Sequence, residues 1–215
     1  MAIVTNADAC VSWLTNAAPN LGEARRAAER IVRNGHRAGA IIKGIRALAR
    51  KADPEMAPFE INDAVGEIIA LLGGELRRQS VALETELSDD IGPAIGDRVQ
   101  LQQVVLNLIM NGVEAMCGVV VRPRTLRISS RPDPSGLLVA VADAGTGLDP
   151  ANVDRIFEGF FTTKPEGIGI GLTISRSIIE AHGGTLWATP NRPHGSVFQF
   201  TLPGAVKQTE SDDAA

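Results

Sequence analysis

The sequence predicts an α+β protein in which a sandwich of helices and sheet follows a purely helical segment. Three observations support this class. Residues 2–51 show helical periodicity only, whereas helical and strand-like patterns mix from Phe59 onward. Two strand-like stretches, TLRISSR and LLVAVAD, also flank the turn sequence PDPSG, which is typical of a β-hairpin. We therefore expect mostly antiparallel strands packed against helices.

The composition narrows the class of protein. A hydrophobic fraction of 44% over 215 residues supports a real core, and a net charge of −4 argues against general nucleic-acid binding. No apolar run approaches the roughly 20 residues of a membrane span, and the first residues lack the basic region of a signal peptide. Cys10 and Cys117 stand in no metal or redox spacing. These features predict a cytoplasmic protein without a membrane segment.

Residues 1–52 are predicted to form a helical hairpin. The second helix carries apolar residues at alternating steps of three and four, a heptad pattern: Leu21, Ala24, Ala28, Ile31, Gly35, Ala38, Ile42, Ile45 and Ala49. A shorter first helix shows the same rhythm at Ile3, Ala7, Cys10, Leu14 and Ala17. Asn20, with Glu23 three residues later, resembles a capping box that starts the second helix. Because two helices cannot cover so wide an apolar stripe, which Ala27 and Val32 widen further, we expect a homodimeric four-helix bundle.

The remaining elements follow in chain order. Residues 53–58 are predicted to be a linker between two prolines. The segment 59–204 is then predicted to hold a helix over 63–78, a strand over 81–87, a helix over 97–116, the hairpin strands, a helix over 172–182 and strands over 185–189 and 196–202. The polar tail 205–215 is predicted to be disordered.

Two asparagines mark the long helix. Asn107 and Asn111 in NLIMNGVEAM are four residues apart, so their amides share one helix face. Such a pair can supply oxygen ligands to a hard cation such as Mg²⁺. It can equally be a pair of solvated polar side chains, and these residues alone leave both interpretations open.

Two glycine-containing motifs follow in the chain. Asp143 ends an apolar strand immediately before Gly145 and Gly147, so its carboxylate can accept a hydrogen bond from a ligand amino group, or can simply serve a turn. The stretch FFTTKPEGIGIGLTIS spaces three glycines before a helix, which suits a phosphate site at a helix N-terminus or an ordinary turn. No Gly-Lys-Ser/Thr triplet opens that helix, so it is not a P-loop.

In this fixed order, the motifs resemble the histidine-kinase branch of the GHKL ATPase superfamily. The resemblance covers roughly residues 59–204 and implies the Bergerat ATP-binding sandwich. The hairpin resembles the dimerisation and phosphotransfer domain of that family. RAGAIIKGIRALARK resembles the soluble oxygen- and redox-sensor type of kinase.

The resemblance also implies roles for individual residues. Asn111 would ligate Mg²⁺, Asn107 would help to hold the metal and the triphosphate, and Asp143 would bind the exocyclic amine of adenine. Gly145 and Gly147 would let the adenine pocket form. Residues 148–166 would be a lid over ATP. Phe160 and Phe161 would pack within the lid. Thr162, Thr163 and Lys164 would lie near the phosphates, and Lys164 would also be catalytic. The phosphates would be bound at the start of the next helix by Gly167, Gly169, Gly171 and Leu172.

Asn107 bears on the reaction type. Hydrolysing members of the superfamily carry a glutamate there to activate water, and an amide cannot act as that base. The resemblance therefore implies transfer of the γ-phosphoryl group of ATP to a protein histidine and then to a response-regulator receiver domain. A hydrolysing ATPase is the less favoured alternative.

The phosphoacceptor motif of the family is absent from the printed sequence. His-Glu/Asp-x-x-x-Pro-Leu does not occur, and the three histidines are His36, His182 and His194. The start of the chain resembles residues that follow this motif, so we expect a kinase core without self-phosphorylation. An ATP-binding regulatory partner of an intact kinase subunit is the second interpretation. The sequence also departs from the family at Gly112, which we expect to cost helix stability.

Overall fold

The computed structural model describes residues 2–16, 18–32, 34–35, 55–162 and 169–204. The chain divides into two compact units, Met1–Lys51 and Ala52–Ala215. Within the described part of the chain, no helix combines the length and the apolar character that crossing a bilayer requires.

The first unit contains two helices in its described part. Helix α1 spans Ala2–Thr15, and helix α2 covers residues 21–32. Asn20 Oδ1 accepts a hydrogen bond from the Glu23 N–H at 3.1 Å, which confirms the capping role of Asn20. The other half of the predicted capping box is not formed, because the Asn20 N–H donates to the Trp13 carbonyl and the Glu23 carboxylate accepts from Arg26. The seam positions from Ala38 to Ala49, the position of Ala17 and that of His36 lie outside the described residues.

The contact between α1 and α2 buries only part of the predicted heptad seam. Ala24 and Ala27 are buried, whereas Leu21 is 71% exposed. Ala28 is exposed as well. The reason is geometric, since α1 covers a face of α2 centred on Ala24 and Ala27. Cys10 Sγ lies on this face and donates to the Ala24 carbonyl at 3.3 Å.

In its described part, the second unit contains three long helices and two sheets. The helices are α3 (Ile61–Arg78), α4 (Arg98–Met116) and α5 (Gly171–Ala181). The strands are β1 (Ala57–Phe59), β2 (Val81–Leu87), β3 (Ala94–Gly96), β4 (Arg124–Asp133), β5 (Gly136–Asp143), β6 (Leu186–Pro190) and β7 (Ser196–Pro203). Two short 3₁₀ turns, Pro150–Asn152 and Arg155–Phe157, precede α5.

The main sheet has the strand order β2-β4-β5-β7-β6. Its β4–β5, β5–β7 and β6–β7 pairs are antiparallel, as predicted, and β2 pairs with β4 in parallel. The predicted hairpin is confirmed, with Asp133 opposite Gly136 at its turn and Leu126 opposite Asp143 at its far end. A separate antiparallel pair, β1–β3, was not predicted, and it includes residues 57 and 58 of the predicted linker.

The core lies between the helices and one face of the main sheet. Helix α4 is central to it, with fully buried Leu101, Leu108 and Ile109, and the sheet contributes Val139 and Phe200. Each such side chain stabilises the fold by about 1.5–3 kcal/mol relative to exposure. Asn107 and Asn111 are half-buried positions of the same helix.

His182 connects the end of α5 to the start of α4. Its buried ring accepts a hydrogen bond from the Asp97 N–H at Nε2 (2.9 Å), and Nδ1 donates to the Ile178 carbonyl at 2.7 Å. Asp97 in turn caps α4 by accepting from the N–H groups of Val99 and Gln100. His182 therefore has a structural role at the C-cap of α5.

Replacing His182 by alanine is expected to destabilise the second unit by about 2–4 kcal/mol, because it removes the acceptor of the part-buried Asp97 N–H and opens a cavity where the buried ring lies. The matched control is His194→Ala in the exposed β6–β7 turn, which is expected to cost less than about 0.5 kcal/mol. Urea unfolding of both variants checks this difference, and equal midpoints would contradict the structural role.

Candidate nucleotide-binding site

The predicted asparagine pair lies on α4 beside the first turn of α5. Asn107 Nδ2 donates to Ser175 Oγ at 2.9 Å. Gly171 is the first residue of α5, and a Cβ atom there would lie 2.6 Å from Asn107 Oδ1. A side chain at Gly171 would displace the Asn107 amide from this position. The unpaired N–H groups of a helix N-terminus suit an anion.

The Asn111 amide is the second feature of this face. Among the described residues, its buried Nδ2 atom has no hydrogen-bond partner. Leaving such a group unpaired costs about 1–3 kcal/mol, so the amide is arranged for a polar partner that the described protein residues do not supply. Nδ2 is a donor and therefore suits an acceptor such as a phosphate oxygen, whereas Oδ1 is the atom of this amide that can bind a cation.

Asp143 ends β5 on the neighbouring strand edge. Its carboxylate is almost completely buried, with a relative exposure of 2%, and Oδ1 accepts from the Gly145 N–H at 2.8 Å. A buried carboxylate requires hydrogen-bond donors, because its desolvation is otherwise costly. Asp143 is therefore a buried hydrogen-bond acceptor at the end of β5.

Gly112 explains how α4 reaches this edge. A Cβ atom at Gly112 would lie 2.7 Å from Leu126 Cδ1 and 3.2 Å from Asp143 Cβ. The absence of a side chain lets the helix approach the ends of β4 and β5, directly beside Asn111. The sequence analysis expected Gly112 only to cost helix stability. The structure adds a second effect, since the small size of Gly112 lets Asn111 and Asp143 lie in the same region.

The loop after Asp143 packs against two other elements. Gly145 lies against Ala115 of α4, where a Cβ atom would approach the Ala115 carbonyl carbon to 2.8 Å. Gly147 has a φ of 81° and lies near the Gly195 carbonyl. Two residues that the sequence analysis did not single out, Arg122 and Asn191, donate hydrogen bonds to this loop. Neither belongs to a motif, so no pattern in the sequence pointed to them.

Phe157, which the sequence analysis did not single out, joins the predicted lid to α5. Phe157 is buried, its carbonyl accepts from Thr173 Oγ1 at 3.1 Å, and the Arg176 guanidinium lies 4.4 Å from its ring centre. Phe161 is half-buried under Arg155. Phe160, which was predicted to pack in the lid, is 77% exposed here, and its backbone has a φ of 67°.

The other predicted phosphate-side residues divide into two groups. Thr162 is exposed, Leu172 packs against the core, and the Gly169 carbonyl accepts from the Phe160 N–H at 3.1 Å. The remaining positions lie outside the described residues: Thr163, Lys164, Glu166 and Gly167.

Comparison with known proteins identifies the family of this site. Residues 96–206, more than half of the chain, match the family "Histidine kinase-, DNA gyrase B-, and HSP90-like ATPase". The chain belongs to this ATPase family. The ATP use that the sequence motifs implied is thereby confirmed.

Relatives place the chain in the histidine-kinase branch of the ATPase family. It is 35% identical to the sensor histidine kinase TmoS of Ectopseudomonas mendocina over 94% of this chain, and 38% identical to the sensor protein FixL of Bradyrhizobium diazoefficiens over 87%. The matched regions are 21% and 37% of those proteins, so the chain spans well under half of their length.

A solved structure agrees with the sequence relatives. The catalytic domain of histidine kinase ThkA matches 69% of this chain and 95% of its own length, with 31% identity and a TM-score of 0.62. The predicted α+β sandwich of the GHKL type is therefore confirmed.

Proposed function

We propose that this chain provides the ATP-binding catalytic core of a two-component sensor histidine kinase. In this role it transfers the γ-phosphoryl group of ATP to a protein histidine, which passes it to an aspartate of a response-regulator receiver domain. The observation that carries the proposal is Asn107. Its amide is engaged with Ser175 beside the start of α5, and it has no capacity to take a proton from water.

Asp143 is proposed to select adenine. Its buried carboxylate can accept a hydrogen bond from the exocyclic amine of adenine, which guanine replaces by a carbonyl oxygen. The nearly complete burial of Asp143 supports this role, because hydrogen bonds to a charged group strengthen when water is excluded. Gly145 and Gly147 shape the loop beside the purine ring.

Asn111, assisted by Asn107, is proposed to hold Mg²⁺. In the described part of the chain, no cluster of three or more His, Cys, Asp or Glu side chains could bind a metal ion. Mg²⁺ commonly takes only one or two protein oxygens and completes its shell with water and substrate phosphates. Asn111 can offer its amide oxygen Oδ1 to such an ion, while its unpartnered Nδ2 can donate to a phosphate oxygen, and the ion would neutralise phosphate charge.

The start of α5 and the lid are proposed to surround the phosphates. Gly171 and Leu172 open α5 next to Asn107, where backbone N–H groups can receive an anion. From the lid, Thr162, Thr163 and Lys164 would approach the terminal phosphate, with Gly167 and Gly169 giving the backbone close access. These residues would position the γ-phosphoryl group and balance its charge, which is most of what phosphoryl transfer requires.

The proposed reaction balances without a further reactant. The lone pair of a ring nitrogen of the acceptor imidazole forms a bond to the γ-phosphorus, while the bond from that phosphorus to the bridging oxygen breaks and its electron pair leaves with ADP. The other ring nitrogen releases its proton to water. Labelled ATP tests this proposal, because label on a supplied histidine-bearing subunit distinguishes a kinase from a hydrolase that only releases phosphate. Nucleotide binding without transfer would instead support a regulatory partner of an intact kinase.

The helical hairpin is proposed to form the homodimer. Val4, Val11 and Leu14 of α1 are exposed and recur on one helix face beside the α2 contact. A second hairpin would cover this stripe together with Leu21 and close a four-helix bundle.

Val11→Asp is expected to convert the dimer into a monomer, because it buries a charge in the bundle. The matched control is Ser12→Asp, at an exposed polar neighbour on the same helix, which is expected to leave the dimer intact. Light scattering at tens of micromolar measures the mass of both variants. A monomeric wild-type chain would contradict the bundle.

A further inference from the structure

We propose that Arg122 and Asn191 are positioning residues that fix the loop after Asp143 and thereby set the preference of the site for adenine. The proposal rests on the function proposed for Asp143 and adds two residues outside every recognised motif. Both act through the loop backbone rather than by touching the nucleotide.

Three consecutive carbonyl groups of this loop are held by side chains from outside it. Asn191 Nδ2 donates to the Asp143 carbonyl at 2.8 Å. Arg122 donates to the next two, from Nε to the Ala144 carbonyl at 3.2 Å and from Nη2 to the Gly145 carbonyl at 2.7 Å. The loop is thus held from two sides, by the segment after α4 and by the β6–β7 turn. These three hydrogen bonds form the clamp.

The N–H groups of the loop are bound as well. The Ala144 N–H donates to the Thr125 carbonyl, and the Thr146 N–H donates to the Ala115 carbonyl. The Gly145 N–H donates to Asp143 Oδ1 at 2.8 Å. Because Arg122 holds the carbonyl of Gly145, it fixes the residue whose amide orients the Asp143 carboxylate. A shift of Gly145 would therefore move the Asp143 carboxylate, which is proposed to bind the amine of adenine.

The residue types suit this task. The guanidinium of arginine is a planar fork of donors, so Arg122 can hold two neighbouring carbonyls at once, which a lysine ammonium cannot do with the same geometry. Asn191 is itself fixed, since its N–H donates to the Gly195 carbonyl at 2.9 Å. A side chain at Gly195 would collide with the Asp143 carbonyl oxygen, so the turn is pressed directly against the loop.

Arg124 provides a matched control only two residues from Arg122. It is half-buried like Arg122, and it donates to three carbonyls, those of Val119, Gln79 and Cys117, where Arg122 donates to two. None of these belongs to the loop after Asp143. Loss of Arg124 removes as many hydrogen bonds as the proposed clamp contains, but at a different place.

The test compares Arg122→Ala, Asn191→Ala and Arg124→Ala, with Arg122→Lys as a milder variant. Calorimetry with Mg²⁺ gives the ratio of the Kd for GTP to the Kd for ATP in each full-length chain. The ratio is expected to fall about tenfold in Arg122→Ala and Asn191→Ala, because a misaligned charged acceptor loses roughly one hydrogen bond of discrimination. Arg122→Lys should lie between, and Arg124→Ala should keep the wild-type ratio while melting at a lower temperature.

Amide hydrogen exchange at Gly145 and Thr146 provides a second reading that needs no nucleotide. Exchange is expected to speed up in Arg122→Ala and Asn191→Ala and to stay unchanged in Arg124→Ala. The proposal would be overturned if the wild type prefers ATP but Arg122→Ala and Asn191→Ala keep its ratio of Kd values. Equal rates of amide exchange in all variants would overturn it as well. A wild-type chain without preference for ATP would overturn the role of Asp143 instead, and the exchange rates would still decide on the clamp.

Discussion

Asn111→Ala is expected to abolish Mg²⁺-dependent phosphoryl transfer, with a loss of at least about a hundredfold, while the protein stays folded. The physical reason is that Mg²⁺ tolerates little distortion of its octahedral shell, so a lost oxygen ligand is not replaced easily. Nucleotide binding without metal should survive in part, because the Asp143 contact remains. Transfer assays and calorimetry with and without Mg²⁺ measure both effects.

The stability of this variant makes the test specific. In the described residues the buried Nδ2 of Asn111 has no partner, so its removal breaks no hydrogen bond there, and alanine favours the helix. The melting temperature should be unchanged or higher. Asn62→Ala is the control, since Asn62 on α3 donates to the Ser88 carbonyl and accepts from Ser130 Oγ. That variant should lose stability and keep its Mg²⁺ dependence. Equal Mg²⁺ dependence in Asn111→Ala and the wild type would show that Asn111 is not a ligand.

Asp143→Ala is expected to weaken ATP binding at least about tenfold, because a hydrogen bond to a charged group contributes roughly 1.5–3 kcal/mol. Asp143→Asn should weaken it as well, since the amide keeps the shape of the side chain and loses the charge. GTP affinity should change much less, because guanine offers no amine at that ring position. Calorimetry with both nucleotides provides the comparison.

Asp133 at the other end of the same hairpin is the control for Asp143. Its carboxylate accepts from Ser135 Oγ and from the Ser135 N–H, and these two bonds hold the pKa of Asp133 below its ordinary value. Because the bonds lie at the turn, Asp133→Ala should leave the affinities for both nucleotides unchanged. Similar losses in Asp133→Ala and Asp143→Ala would mean that the effect comes from the hairpin and not from an adenine contact.

Local sequence patterns predicted the long elements because each has a clear period or cap. The α4 helix begins after Asp97, which accepts two backbone N–H bonds, and the β4–β5 hairpin turns at its Pro-Ser pair. The β1–β3 pair escaped prediction because three residues are too few to show alternation. The parallel pairing of β2 with β4 depends on distant contacts that no local pattern contains.

The site was predictable where its chemistry follows a fixed spacing. Asn107, Asn111 and Asp143 could be singled out because each stands in a short motif on a recognisable element. Arg122 and Asn191 could not, since their partners are backbone carbonyls that are brought near by folding. The exposure of Phe160 could not be predicted either, because the sequence does not indicate the left-handed backbone conformation of this residue.

The most direct test of the kinase proposal follows the γ-phosphoryl group of labelled ATP. The full chain is mixed with a histidine-kinase subunit that retains its acceptor histidine and carries an inactive ATP site, and mixed dimers are verified first. We expect acid-labile label on the acceptor subunit, none on the 215-residue chain, which has no acceptor motif, and little free phosphate. Asn111→Ala should give no label. Rapid phosphate release without a labelled acceptor would contradict the kinase proposal and indicate a hydrolase. If the acceptor stays unlabelled and no phosphate is released, the proposal is also contradicted, and a regulatory ATP-binding partner is the better interpretation.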